Sequence, residues 1–150
     1  MGLISDTHGL LRESARQALA GCELILHAGD IGDAAVLDSL SALAPVMAVR
    51  GNNDTDHWAS TQADCRCLQL GAWRLHLLHD LKTLGFAPSA AGVNIVVTGH
   101  THRPKIEWRE NVLYLNPGSA GPRRFSLPIS LALLRLDGPA PQAELITLPA

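Results

Sequence analysis

The sequence predicts an α/β fold, and three observations carry the prediction. Over residues 3–54, short apolar runs alternate with helically spaced apolar residues in the order strand, helix, strand, helix, strand. Those runs lack polar alternation, as expected of strands buried on both faces of a parallel sheet. From residue 65 onward, closely spaced pairs of short strands dominate, so antiparallel pairing joins the parallel start and the sheets are expected to be of mixed direction.

The first strand is Leu3-Ile4, running into the loop Ser5-Asp6-Thr7-His8-Gly9. Leu11, Ala15, Ala18 and Leu19 then fall on one helical face, with Gly21 placed to end the helix. Leu24-Ile25-Leu26 is the second strand and leads into Gly29-Asp30-Ile31-Gly32. Asp33 can cap a second helix whose face is Val36, Leu37, Leu40 and Leu43, and Pro45 stops it. Val46-Met47-Ala48-Val49 is the third strand, ending in Arg50-Gly51-Asn52-Asn53-Asp54. Such a βαβαβ unit has parallel strands and right-handed crossovers. Cys65–Leu70 and Trp73–Leu78, separated by Gly71-Ala72, form a hairpin that runs into His79-Asp80. A loop or short helix over 81–92 precedes Ile95-Val96-Val97, which ends at Gly99-His100-Thr101-His102. Strands 105–109 with 112–116, and 129–136 with 142–148, complete the chain, with turns at Asn116-Pro117-Gly118-Ser119 and Asp137-Gly138-Pro139. No repeat, low-complexity tract or linker interrupts it, so residues 1–150 read as one domain.

Composition narrows the function classes. At 47% apolar and 17% charged residues, with a formal charge of -2, the chain has none of the bias of fibrous, coiled-coil or disordered sequences. No apolar run approaches the roughly 20 residues that cross a bilayer, and the N-terminus lacks the charged and apolar regions of a signal peptide. The expected location is the cytoplasm, with no membrane partner. Cys22, Cys65 and Cys67 are an odd set that argues against a disulfide framework, and a C-x-C pair alone makes a poor zinc site. The near-neutral charge offers no electrostatic case for nucleic acid.

Histidine is the outlier, with seven residues against fourteen acids and twelve bases. Five loops after five expected strands carry metal-competent side chains: Asp6 and His8, Asp30, Asn52, His79, then His100 and His102. Each has a plain structural explanation by itself, such as a cap, a turn or a surface imidazole. Their recurrence at successive strand ends is what those explanations leave out. Ligands of open α/β sheets bind beyond the carboxyl ends of the strands, so these groups are expected to converge on one edge of the same sheet.

In order, D-x-H at Asp6 to His8, G-D-x-x-G-D at Gly29 to Asp33, G-N at Gly51-Asn52, His79, and G-H-x-H at Gly99 to His102 resemble the calcineurin-like metallophosphoesterase superfamily. The N-P-G-S turn at Asn116 to Ser119, followed by Pro122-Arg123, narrows the resemblance to the small single-domain branch of bacterial and archaeal phosphodiesterases. The resemblance implies a four-layer αββα sandwich of two mixed sheets flanked by helices. It also implies that Asp6, His8, Asp30 and His102 bind one divalent ion while Asp30, Asn52, His79 and His100 bind another, with Asp30 bridging. Asp30, Asn52 and His79 would be catalytic, in hydrolysis of a small phosphoester, most specifically a phosphodiester. The implied attack is in line, by a metal-bridging hydroxide, without a covalent enzyme intermediate. The donor set has nitrogen and oxygen but no thiolate, which suits Mn, Fe, Ni, Zn or Co, and Mg less obviously; the family points to manganese. Two such ions would move the formal charge from -2 to +2, so an anionic substrate needs no basic surface.

Several residues depart from the family pattern or stay outside it. Many relatives carry a His after G-N that is credited with protonating the leaving group, where this chain has Asn53, a neutral amide without a proton to give. Good leaving groups are expected to be favoured. His57 is the nearest substitute acid, against the simpler reading of a solvated loop histidine. Asp80 stands where the small branch has Gly, and either orients His79 or starts a turn. His27 reads as a hydrogen-bonding scaffold residue, and His76 as a surface or supporting residue on the face of Arg74. Arg123 and Arg124 could approach a phosphate, but a basic pair in a loop reads first as solvent-exposed. Only five residues precede Asp6, so either the first strand is trimmed or the true start lies upstream.

Two other function classes compete. The retromer scaffold subunit has the same fold with an altered metal site, so a non-catalytic, metal-binding interaction scaffold is the main rival; an intact ligand set argues against it. A nuclease ranks last, since the chain adds no basic, aromatic-rich strand-binding surface. Trp58 and Trp108, if exposed, are candidates for a homodimer interface.

Overall fold

The computed structural model describes all 150 residues. The βαβαβ start forms as expected: β1 (Gly2–Ile4), α1 (Glu13–Leu19), β2 (Ile25–His27), α2 (Ala34–Ser41) and β3 (Val46–Ala48). Asp33 caps α2 by accepting the Ala35 N–H at 2.9 Å. Gly21, just beyond α1, takes a φ of +85° that a side chain would resist. The hairpin is β4 (Cys65–Leu70) and β5 (Trp73–Leu78), followed by β6 (Ile95–Val97), β7 (Lys105–Arg109), β8 (Val112–Asn116), β9 (Ser130–Arg135) and β10 (Gln142–Thr147). Glu110 and Asn111, both left-handed, make the two-residue turn between β7 and β8.

The strands sort into two five-stranded sheets, ordered β10-β9-β1-β2-β3 and β4-β5-β6-β8-β7. Each is mixed: β1/β2, β2/β3, β5/β6 and β6/β8 are parallel, while β1/β9, β9/β10, β4/β5 and β7/β8 are antiparallel.

Alternation within each strand divides the core. Leu3 and Leu26 point between the sheets, against Leu75, Leu77, Ile95, Val97, Leu113 and Leu115. Their neighbours Ile4 and Ile25 point the other way, onto Ala15 and Leu19 of α1 and Val36 and Leu40 of α2. Both faces of β1 and β2 are thereby buried, which is why these strands read as unbroken apolar runs. On the far face of the second sheet, Leu78, Val93, Val96 and Val112 are covered by Leu81, Leu84 and Tyr114. The fourth layer is therefore a single 3₁₀ turn at Leu81–Thr83 with its loop, in place of a full helix.

Trp58 is half-buried against the helix-side core, which removes it as an interface candidate; Trp108 is 51% exposed on edge strand β7. No helix is long and apolar enough to cross a membrane.

Candidate metal centre

The five loops do meet, but they do not belong to one sheet. Asp6 and His8, Asp30, and Asn52 follow β1, β2 and β3 of the first sheet, whereas His79, His100 and His102 follow β5 and β6 of the second. The single-edge expectation is corrected accordingly. The site spans the mouth of the sandwich, because parallel strands in both sheets end on the same side.

Backbone bonds carry the first two loops forward together: Asp6 N–H donates to Gly29 O at 3.0 Å, His8 N–H to Asp30 O at 2.9 Å and Gly9 N–H to Ile31 O at 2.8 Å. The approach is close enough that a Cβ on Gly32 would enter the backbone of His8 and Gly9, and one on Gly51 the backbone of Asp30. The Asn116-Pro117-Gly118-Ser119 turn props the loops from beneath. Ser119 Oγ donates to Asp6 O at 2.9 Å, and Asn116 Nδ2 to Gly99 O at 2.9 Å and Thr101 Oγ1 at 3.1 Å.

Two donor clusters result. In the first, Asp6, His8 and His102 turn donor atoms toward one another, with His8 Nε2 and His102 Nε2 3.4 Å apart and His102 Nε2 3.3 Å from Asp6 Oδ1. Asp6 Oδ2 is satisfied by Ser5 Oγ at 2.6 Å and the His100 N–H at 3.1 Å. Asp6 Oδ1 is fully buried without a hydrogen-bond partner. A buried, unpartnered carboxylate oxygen facing two imidazole nitrogens suits a cation.

The second cluster is Asp30, His79 and His100. His79 Nδ1–H donates to Ala28 O at 2.7 Å, which fixes the tautomer and turns the Nε2 lone pair inward. That Nε2 lies 3.3 Å from Asp30 Oδ2, 2.9 Å from Asn52 Oδ1 and 3.3 Å from His100 Nδ1. Asp30 Oδ2 is also 3.8 Å from His8 Nε2, so this carboxylate stands between the clusters. Asn53 holds it there, its N–H donating to Asp30 Oδ1 at 2.9 Å and its Nδ2 to Oδ2 at 3.2 Å.

Electrostatics follow the geometry. Burial raises the Asp30 carboxyl, but the His79 imidazole beside it, the Asn53 N–H and the His8 imidazole outweigh it and bring its pKa down to about 2. Asp6 is likewise below its ordinary value: burial raises it, but the neighbouring His102 imidazole, the Ser5 hydroxyl bond and the His79 imidazole outweigh that. Burial lowers His8 despite the neighbouring carboxylates, whereas the Asp30 and Asp6 charges raise His79 against its burial. Backbone strain concentrates at the same residues. Of the eight non-glycine residues with positive φ, five are Asp6, His8, Asp30, His100 and His102, each between 46° and 71°. L-residues enter this region at a cost and cluster there at functional sites.

Other sequence-flagged residues sort as follows. Asp80 starts the 3₁₀ turn by accepting the Lys82 N–H at 3.1 Å, and its carboxylate lies 3.8 Å from His100 Nε2; Ala28, rather than Asp80, orients His79. His27 is a scaffold residue: Nδ1 accepts the Gly29 N–H at 3.1 Å, so Nε2 carries the proton and donates to Thr7 Oγ1 at 3.0 Å. His76 is corrected from a surface reading, being buried edge-on against Phe86 at 4.9 Å between ring centroids. His57 is exposed at the start of a 3₁₀ turn and lines neither cleft beside the centre. Arg123 and Arg124 are exposed, although the Arg124 charge is felt at His8.

One supporting residue escapes sequence reasoning. Asp54, buried, accepts the N–H groups of Ile31 at 3.0 Å, Gly32 at 2.9 Å and Gly51 at 2.9 Å, tying the Asp30 loop to the Asn52 loop. In sequence it is one more turn-former after Asn52-Asn53, and the one available signal is its place two residues beyond the G-N at Gly51-Asn52.

A two-sheet sandwich with nitrogen and oxygen donors gathered at its strand ends defines an α/β domain with a candidate metal centre. The calcineurin-like phosphoesterase superfamily domain matches residues 1–138, and the chain belongs to that superfamily. It is 35% identical over 158 aligned residues to a probable metallophosphoesterase of Methanothermobacter thermautotrophicus, covering 97% of this chain and 91% of the relative. It is 30% identical over 158 residues to phosphodiesterase YfcE of Escherichia coli K12, covering 89% and 85% respectively. In fold it matches Vps29 of Chaetomium thermophilum with a TM-score of 0.79 at 18% identity, over 99% of this chain and 98% of that one. The expected αββα metallophosphoesterase fold, and its relation to Vps29-like proteins, are borne out.

Proposed function

We propose that this chain is a phosphodiesterase using two divalent cations, with manganese the one that the family resemblance points to. Asp6, His8, Asp30 and His102 would hold one ion, and Asp30, Asn52, His79 and His100 the other. The observation that carries the reading is Asp30 Oδ2, 3.3 Å from His79 Nε2 and 3.8 Å from His8 Nε2, one carboxylate oxygen facing both clusters. Paired divalent ions about 3.5–4 Å apart supply a water of lowered pKa and a clamp on phosphoryl oxygens.

The protein's own residues then restrict the reaction. Ser5 Oγ is buried and donates to Asp6, and Thr7 Oγ1 lies between His27 and the Ile31 carbonyl. With both hydroxyls engaged in the scaffold, neither is placed as a nucleophile, which favours direct in-line attack by water. The Asn53 amide is engaged on Asp30 and has no acidic proton, so the departing oxygen leaves without an imidazolium to protonate it. Substrates with stable leaving oxyanions, aryl or nucleotidyl, are favoured.

The test is a manganese titration by equilibrium dialysis in parallel with hydrolysis of bis(4-nitrophenyl) phosphate. Two ions per chain and turnover rising with their occupancy are expected. Stoichiometric binding without turnover would favour the scaffold reading that the Vps29 likeness in fold keeps in play. Asp30→Ala should lose both ions, and retention of two would refute the bridging role.

A further inference from the structure

We propose that the cleft on the far side of His100 binds a second phosphate group of the substrate, so that the preferred phosphodiesters carry an additional phosphoryl dianion beyond the scissile one. The inference rests on the phosphodiesterase reading of the centre and names the substrate class within it.

Two clefts flank the centre and are opposite in charge. One, of about 680 Å³, runs past Asn52 and His79 and sets Asp54, Asp56, Asp64 and Asp80 against a single base, Arg50, itself bonded to Asp64 at 2.6 Å. The other, of about 530 Å³, has His100 in its wall and sets Lys82, Arg103, Lys105 and Arg109 against Asp80 alone. Lys82 and Lys105 are the only lysines in a chain whose formal charge is -2, so this concentration of positive charge is against the average.

The four bases are not equally occupied. Lys105 and Arg109 both pair with Glu107, at 2.8 and 3.3 Å. Lys82, from the 3₁₀ turn after β5, and Arg103, from the loop after β6, form no ion pair. Two cations without a carboxylate partner therefore line one cleft and are free to take an anion. The cleft's aromatic residue, Tyr114, has its ring covered by the Arg109 guanidinium, 4.3 Å from the centroid, so it offers no open platform for a planar base. An anionic oxygen cluster is the complement that remains. Because His100 belongs both to the metal centre and to this wall, an ester whose scissile phosphorus sits at the centre can reach the cleft with its next phosphate.

Two measurements test this. For the metal-loaded chain, the ratio of kcat/KM is compared between the 4-nitrophenyl ester of thymidine 5′-phosphate with and without a 3′-phosphate. A preference of at least tenfold for the 3′-phosphorylated ester is expected, falling to near parity in Lys82→Gln/Arg103→Gln and kept in Lys82→Arg and in Arg135→Ala, which lies outside the cleft. No preference, or one that survives the double substitution, overturns the proposal. For the metal-free chain, calorimetric binding of inorganic pyrophosphate should weaken at least tenfold in the double variant; equal binding overturns the cleft assignment. If the loaded chain hydrolyses neither ester, the phosphodiesterase reading fails, and the pyrophosphate measurement decides the cleft by itself.

Discussion

Replacing Asp54 with Ala should destabilise the fold and weaken metal binding together. Its carboxylate accepts three backbone N–H groups at 2.9–3.0 Å, those of Ile31 and Gly51 in buried surroundings and that of Gly32 partly exposed. Hydrogen bonds to a charged acceptor contribute about 1.5–3 kcal/mol each, and a buried donor left unmade costs about 1–3 kcal/mol. Gly32 can turn to water, so the two buried donors dominate, and Asp54→Ala should cost about 3–5 kcal/mol. That is a large part of the roughly 5–15 kcal/mol by which a domain is stable. Asp54→Asn keeps one acceptor oxygen and should lose about half as much. Urea unfolding of the metal-free chain, followed by circular dichroism, reads the stability. A manganese titration reads the second effect, since the loops that Asp54 joins carry Asp30 and Asn52. A loss below about 1 kcal/mol in Asp54→Ala, with manganese affinity unchanged, would refute the tie.

Three further outcomes follow from the same geometry. His27 is fully buried and neutral, its pKa lowered from 6.5 to about 4 by burial. The unfolded chain therefore binds the extra proton, and stability present above pH 6.5 is lost as pH falls toward 4, by about 3 kcal/mol in all. Metal-free unfolding free energies from urea titrations at pH 7 and pH 5 should differ by about 2 kcal/mol more in the parent than in His27→Gln, and equal differences would exclude the effect. Gly51→Ala puts a methyl group into the backbone of Asp30 and should cost about 1–3 kcal/mol, as overpacking does, and lower metal stoichiometry by dialysis. A series of aryl and alkyl phosphodiesters should show rates falling steeply as leaving-group pKa rises. Asn53→His should flatten that slope, and a flat slope in the parent would exclude the missing-acid account.

The parts of the molecule legible in sequence were those with a local signal. Leu24-Ile25-Leu26 and Ile95-Val96-Val97 could be read as buried strands because both their faces are apolar, and Asp33 as a cap because capping chemistry acts within three residues. The loops that carry the candidate metal donors were legible as positions after strands. Their division between two sheets was not, because strand pairing is non-local, and an apolar run does not name its neighbour. His76 read as exposed from its alternation with Arg74, since Phe86, which covers it, arrives from a loop without periodicity. Asp54 looked like any turn-former because its partners Ile31 and Gly32 are 22 or more residues away. The basic cleft escaped for a similar reason: Lys82 lies 21 residues before Arg103, and Arg103, Lys105 and Arg109 are interleaved with apolar residues and Glu107, so they make no charge run. Positive φ at five donor residues had no sequence signal, since Asp and His do not advertise left-handed backbone as glycine does.

The division of the donors between the sheets has a consequence for folding cooperativity. Asp6, Asp30 and Asn52 ride on one sheet and His79, His100 and His102 on the other, so neither sheet alone presents a full set. Ions bound by both sets would act as a clasp across the apolar interlayer of Leu3, Leu26, Leu77 and Val97, adding their binding free energy to the docking of the two halves. Openings that separate the layers while leaving each sheet intact would become rarer as the ions bind. Amide hydrogens of β2 and β6, which lie in different sheets, would then be expected to exchange together, as one cooperative unit.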